Sequence, residues 1–469
     1  MVRTFKKITP ALLLFVLFFN LPVSGKIILP SVFSDNMVLQ QNAKVAIWGW
    51  GMPGQTVKIA AGWNTSDTIS VKVNNPAKWE TTIQTDKAGG PYSIQLMGTS
   101  NITLNNVMLG EVWLCSGQSN MEMTFEWGIK NGEQELKNAD YPNIRVFNVD
   151  KIAADYPQLD CKGTWTTATP ETIRKTSALA YFFGRELQQK LDVPVGIIVS
   201  AWGGTPAEVW IEKSRIENNP LLNKNKYDER YDWWPDAPGA LYNSMIAPLV
   251  PFAVAGTIWY QGEANRNNYP IYSMLMKTLI ENWRTNFNRD LPFYFVQIAP
   301  FNYTDSKNSH FLREQQEIVI QTVPKTGMVV VSDLVDDIND IHPKDKLSVG
   351  KRLAAYALAE VYHQKTGEYK SPVFRAMRTE KNKLILTFNH ATELKYTGTK
   401  PAHFLISGDN KNFVNADAEV KGNTVVLSSE QIKIPVAASY CFDDTTRADV
   451  FNEAGLPLAP FRTNNTENY

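Results

Sequence analysis

Histidine and cysteine are scarce in this chain, with five of one and three of the other among 469 residues. Three thiols, Cys115, Cys161 and Cys441, exclude a disulfide framework and a four-thiolate zinc site. Five imidazoles weigh against a histidine-rich metal centre. They leave five candidates for histidine-based catalysis: His310, His342, His363, His390 and His403. An excess of charge is also missing, since Lys and Arg number 47, as do Asp and Glu. Without a basic face to displace counterions, nucleic acid and anionic membrane are excluded as main partners. There is no Walker loop, which weighs against P-loop nucleotide chemistry. Internal repeats and low-complexity stretches are absent too. Beyond residue 25 no run reaches the roughly 18 apolar residues of a membrane span.

Apolar residues make up 43% and aromatics 11% of the chain, enough for a large core. The length predicts roughly two to four domains. Residues 1–25 read as a secretory signal. Arg3, Lys6 and Lys7 give a positive start, and Ala11 to Phe19 are nine uninterrupted apolar residues. Nine helical residues rise only about 14 Å, too little for the roughly 30 Å hydrocarbon core. Val23 and Gly25 suit a cleavage site, so Lys26 would begin a mature chain that is secreted or periplasmic.

Residues 26–107 look all-β, a small sandwich in which short apolar runs alternate with turns such as Met52-Pro53-Gly54. From 108 to 365 the texture changes. Continuous apolar strands (Glu111–Cys115, Ile144–Val149, Gly196–Ser200, Ala255–Tyr260, Phe293–Ile298, Met328–Ser332) are joined by amphipathic helices at Ser177–Leu191, Ile271–Phe287, Phe311–Val323 and Lys346–His363. This pattern predicts an α/β domain, a parallel sheet flanked by helices on both faces. Residues 366–469 return to β texture and end in a polar tail.

In such sheets ligands bind beyond the carboxyl ends of the strands. After the first strand comes Gly117-Gln118-Ser119-Asn120-Met121, a turn that exposes a serine near backbone N–H groups. After the third come Trp202, Gly203 and Gly204, where paired glycines present bare N–H groups. After the fourth come Gln261, Gly262, Glu263, Ala264 and Asn265, with two amide donors and a carboxylate. After the last comes an acid-rich loop holding Asp337, Asp340 and His342. A carboxylate beside an imidazole fixes its tautomer and stabilises its cation. The loop lacks the register of a calcium-binding loop, so no metal is expected there. His363, His390 and His403 lie at a helix end or in the C-terminal β region, and His310 begins a helical run. Serine, donors, then acid and histidine form a constellation for acyl transfer to water.

Three stretches, Gly117-Gln118-Ser119-Asn120-Met121, Trp259-Tyr260-Gln261-Gly262-Glu263 and Asp340-Ile341-His342-Pro343-Lys344, resemble the sialate O-acetylesterase family of SGNH (GDSL-like) hydrolases. So do Leu29–Gln40, Ala240–Leu249, Gly455-Leu456-Pro457 and Pro460–Thr463, so the resemblance spans nearly all of the mature chain. It implies an SGNH-type sheet with β-rich domains on either side. It also implies Ser119 as nucleophile, His342 as general base, and Gly204 with the Ser119 N–H as oxyanion hole. The amide donor is Gln261 or Asn265. The superfamily's Asp three residues before the histidine is Asn339 here. Asp340 is therefore expected to orient His342; the alternatives are Asp337 or a backbone carbonyl. Trp202, Tyr260 and Glu263 are expected to contact substrate, and Trp210, Trp233, Trp234 and Trp259 are further aromatic candidates. The implied reaction is two-step hydrolysis of an O-acetylated sugar by water, without metal or organic cofactor. The competing readings are a deacetylase of xylan or another plant polysaccharide, and a carbohydrate-binding protein with a dead site.

Overall fold

A single strand, Asn101–Gly117, runs from the N-terminal β unit into the centre of the chain's main sheet. Its first six residues are exposed or partly buried except Leu104, and from Val107 onward every residue is buried. The early part pairs with Gly89–Met97, and Val38–Gln40 pairs with Met108–Gly110. The structure, a computed structural model, describes residues 25–223, 234–305 and 307–464. The signal expected over 1–25 lies outside the described residues except for Gly25, and Trp233 lies outside them too. The boundary expected at 107 falls inside this strand. The shift in composition there marks passage from a half-exposed ladder to one covered on both faces.

The main sheet runs in the order Thr326–Val329, Phe293–Val296, Gly256–Tyr260, Asn101–Gly117, Val195–Ala201, Tyr141–Val149, Gly163–Ala168. The first six pair in parallel. Gly163–Ala168, which the sequence reading does not anticipate, runs antiparallel at the edge, so the sheet is mixed there. Helices Ala178–Leu191 and Lys346–Glu360 cover one face with Phe183, Leu187, Val349 and Leu353. Helices Tyr272–Asn286 and Ser309–Thr322 cover the other with Leu279, Trp283, Leu312 and Val319, in a core shared with Val38, Ile47 and Trp48 of the N-terminal unit. The first two helices are capped by side chains. Ser177 Oγ accepts from the Ala180 N–H at 3.1 Å and Asp345 Oδ1 from the Ser348 N–H at 3.0 Å.

The C-terminal residues form two four-stranded sheets around Leu386, Ile406, Leu427 and Tyr440. Arg462 joins them to the helix Ser309–Thr322 by a bidentate pair with Glu314 at 2.8 and 2.9 Å. His310 contributes to the same junction, its Nδ1 lying 3.0 Å from Asp444 Oδ1. No helix among the described residues is long and apolar enough to cross a membrane. Cys115, Cys161 and Cys441 are each buried, and none is bridged.

Candidate active site

Strands Gly256–Tyr260, Asn101–Gly117 and Val195–Ala201 are neighbours, and a cleft of about 540 Å³ opens beyond their carboxyl ends. Ser119 stands on its wall as the first residue of the short helix Ser119–Glu122. A first-turn N–H has no partner within its own helix, so that of Ser119 is available to a ligand. The approach to Ser119 depends on Gly117. Its φ is +139°, and a Cβ there would lie 2.2 Å from the Tyr260 carbonyl oxygen. The Gln118 side-chain oxygen then accepts from the Gly262 and Ala264 N–H groups, each at 3.3 Å, which ties the serine turn to the next loop.

Gly203 and Gly204 run alongside. A Cβ at Gly203 would sit 3.2 Å from Ser119 Cβ. The Gly203 N–H donates to Glu122 Oε2 at 2.5 Å, and Lys151 pairs with the other oxygen of that carboxylate. Gly204 has φ +74°, and a Cβ there would lie 2.4 Å from Trp234 Cε2, so the indole lies directly on its backbone.

His342 reaches the same cleft from the loop after the last parallel strand. The Trp127 ring meets it edge-on at 5.5 Å between centroids. Asp340 Oδ1 accepts the His342 backbone N–H at 2.9 Å and lies 3.9 Å from Nδ1, beyond hydrogen-bond reach. Asp340 therefore holds the loop through its backbone, while its other oxygen pairs with Lys344 at 3.0 Å. Burial opposes ionisation of Asp340, but the His342 N–H and Lys344 outweigh it and hold the carboxyl below its usual range. Asp337 instead accepts from the Asn339 N–H at 2.9 Å. Burial, and then the charge of Lys346, lower the His342 pKa. The ring is thus held neutral at pH 7, the state a general base needs.

The family described as carbohydrate esterase, sialic acid-specific acetylesterase, matches residues 109–359. The chain belongs to this family. It is similar to the human sialate O-acetylesterase, 33% identical over 405 residues that cover 78% of this chain and 77% of the relative. The mouse sialate O-acetylesterase is 31% identical over 430 residues, with 78% and 79% covered. A solved carbohydrate acetylesterase from Xanthomonas citri superposes with a TM-score of 0.84 at 32% identity, over 93% of this chain and 99% of that one.

In this acetylesterase-family chain, Ser119, Trp202, Gly204, Trp234, Glu263, Asn265 and His342, all singled out from sequence, line the cleft. Asp340, Gln261 and Tyr260 do not. Gln261 is 0% exposed, and its amide nitrogen donates to Asn265 Oδ1 at 2.7 Å and to the Thr205 carbonyl at 3.3 Å. Its hydrogens are used inside the protein, which removes it as the oxyanion donor. Tyr260 is 1% exposed and packs in the core, which removes it from substrate contact. Trp210 and Trp259 are likewise buried and stack edge-on against each other. Asn265 stays at the cleft, with one amide hydrogen bond to Glu208 Oε2 at 2.8 Å. Sequence reasoning missed Glu122, Trp127, Lys151 and Arg266, all on the cleft wall. Glu122 was within reach of it: one helical turn after Ser119, it shares the serine's face.

Proposed function

We propose that this chain is a serine esterase that removes O-acetyl groups from sialic acid or related acetylated sugars. One observation carries the reading: Ser119 and His342 meet in one cleft with the Gly203-Gly204 turn against the serine backbone. In this mechanism His342 takes the Ser119 hydroxyl proton while Oγ attacks the acetyl carbonyl. The Ser119 and Gly204 N–H groups receive the oxyanion, and Asn265, whose amide is at the cleft, is the side-chain donor assigned to that task. The sugar alcohol leaves with the proton from His342. Water, deprotonated by His342, then attacks the acyl-serine and releases acetate. Asp340 keeps the His342 loop in place. Trp127, Trp202 and Trp234 offer faces on which a sugar ring can pack. Ser119→Ala should abolish acetate release from acetylated sugars without altering the fold, and retained release refutes the assignment.

A second reading, deacetylation of a neutral polysaccharide such as acetyl-xylan, draws on the cleft's cations. Among the described residues these are Lys151 and Arg266, and each already pairs with a carboxylate, Glu122 and Asp305. Both charges are thus already matched by a carboxylate, which favours a neutral sugar. Acetate release from O-acetylated sialic acid measured beside acetylated xylan separates the two. The N-terminal signal supports export. N-terminal sequencing of protein recovered from periplasm or medium should begin at Lys26.

A further inference from the structure

Lys346 opens the helix Lys346–Glu360 with its side chain turned inward, and it is 0% exposed. Lysine is almost never fully buried unless paired, because desolvating an ammonium is costly. Its Nζ donates to Asn120 Oδ1 at 2.7 Å and lies 5.3 Å over the Tyr260 ring. Asn120, also 0% exposed, is the residue after Ser119. Its Nδ2 donates to Glu263 Oε1 at 2.7 Å and to the Ile341 carbonyl at 3.1 Å, and Ile341 precedes His342. One amide thus joins the serine turn, the loop after Gly256–Tyr260 and the histidine loop. Its orientation is determined by its neighbours. An ammonium can only donate, and an ionised carboxylate and a carbonyl can only accept, so a flipped amide would face like against like at every contact.

We propose that Lys346 is a positioning residue for this hydrolysis: through Asn120 it holds the Ser119 turn and the His342 loop in register, with its ammonium facing the imidazole. The proposal rests on Ser119 and His342 as the reacting pair, which Ser119→Ala tests separately. Glu263, Lys344, Asp340 and Asp345 are the charged groups facing Lys346. Those facing His342 are Lys346, Asp340, Lys344 and Glu122. Burial pulls the Lys346 ammonium down to about 7 against the support of Glu263, so it carries its charge on the acid side of that value, where the lowered His342 titrates. Burial raises the Glu263 carboxyl, and Asn120 and Lys346 oppose that rise.

A lysine that only stabilised the fold would change melting temperature without moving the rate-determining ionisation of His342. The test is therefore the pH profile of kcat/KM for acetate release by wild type, Lys346→Met and Lys346→Arg. Lys346→Met should lower kcat about tenfold or more with KM little changed. It should also move the acid limb to higher pH by about half a unit or more, because a nearby positive charge no longer opposes protonation of His342. Lys346→Arg keeps the charge, so its limb should stay at the wild-type position even where kcat falls. If Lys346→Met does not fold, Lys346→Met/Glu263→Gln removes both buried charges and should show the same displaced limb. A limb that stays at the wild-type pH in the charge-free variant, or moves equally in Lys346→Arg, overturns the proposal.

Discussion

Gly204→Ala should damage catalysis far more than the addition of a methyl group suggests, and the structure gives two reasons. The backbone at 204 has φ +74°, and an L-residue in that region costs roughly 1–2 kcal/mol. The new Cβ would also lie 2.4 Å from Trp234 Cε2, a separation real contacts essentially never show. Either the indole or the loop must move, and the loop carries the N–H assigned to the oxyanion. Losing one such donor typically lowers kcat by about 10²–10³ (roughly 2.7–4 kcal/mol). The assay is kcat for acetate release from p-nitrophenyl acetate at saturating substrate, with the melting temperature followed in parallel. Gly203→Ala is the internal control. Its Cβ would meet Glu122 Oε2 and Ser119 Cβ at 3.1 and 3.2 Å, distances that a few tenths of an ångström of movement relieve. The Gly203 N–H is also already taken by Glu122. Its loss should therefore be the smaller by at least about tenfold. Gly204→Ala/Trp234→Ala removes the clash and keeps the strain, so it should recover part of the rate. A Gly204→Ala enzyme within threefold of wild-type kcat would refute the oxyanion role and the steric reasoning together.

The acid limb of kcat/KM should lie below 6.5, the ordinary histidine value, because burial and Lys346 lower the His342 pKa. Activity is then present above that limb and lost as pH falls through it; a limb at or above 6.5 contradicts the geometry. Asp340→Asn should cost only about tenfold in kcat, since the amide oxygen can still accept the His342 backbone N–H. Asp340→Ala should cost about a hundredfold, and Asp337→Asn should be silent; steady-state kinetics on the three variants check this order. The three thiols should not react with Ellman's reagent in the folded protein, and all three should react in denaturant. Burial raises each of them, pushing the Cys161 thiol up to about 12.

The rule that ligands gather beyond strand ends found most of the cleft from sequence, because Ser119, Gly204, Glu263 and His342 all follow apolar strands. It failed at Tyr260 and Gln261 for a physical reason. Helices cover both faces of this sheet, so a side chain at a strand end points into one of two cores before the backbone turns toward the cleft. Tyr260 goes to one core, and Gln261 goes inward to bond with Tyr272 and Asn265. The ordinary spacing of local motifs also hides the Lys346–Asn120 contact, which joins residues 226 apart. Gly163–Ala168 escaped notice because its threonines alternate with few apolar residues, the pattern of an edge strand half in solvent. The helix expected over Lys346–His363 stops at Glu360, and His363 takes a left-handed conformation just beyond it.

Asn101–Gly117 carries a consequence for how such a chain can change over generations. Its 17 residues form a rod with a contour of roughly 55 Å, with the N-terminal unit at one end and the turn to Ser119 at the other. There is no slack between them in which a recombination joint could heal. A swapped N-terminal unit would have to be spliced into the middle of a hydrogen-bonded ladder, in register with both Gly89–Met97 and Val195–Ala201. A replacement for that unit therefore has to reproduce the register of this one strand if the Ser119 turn is to stay in place.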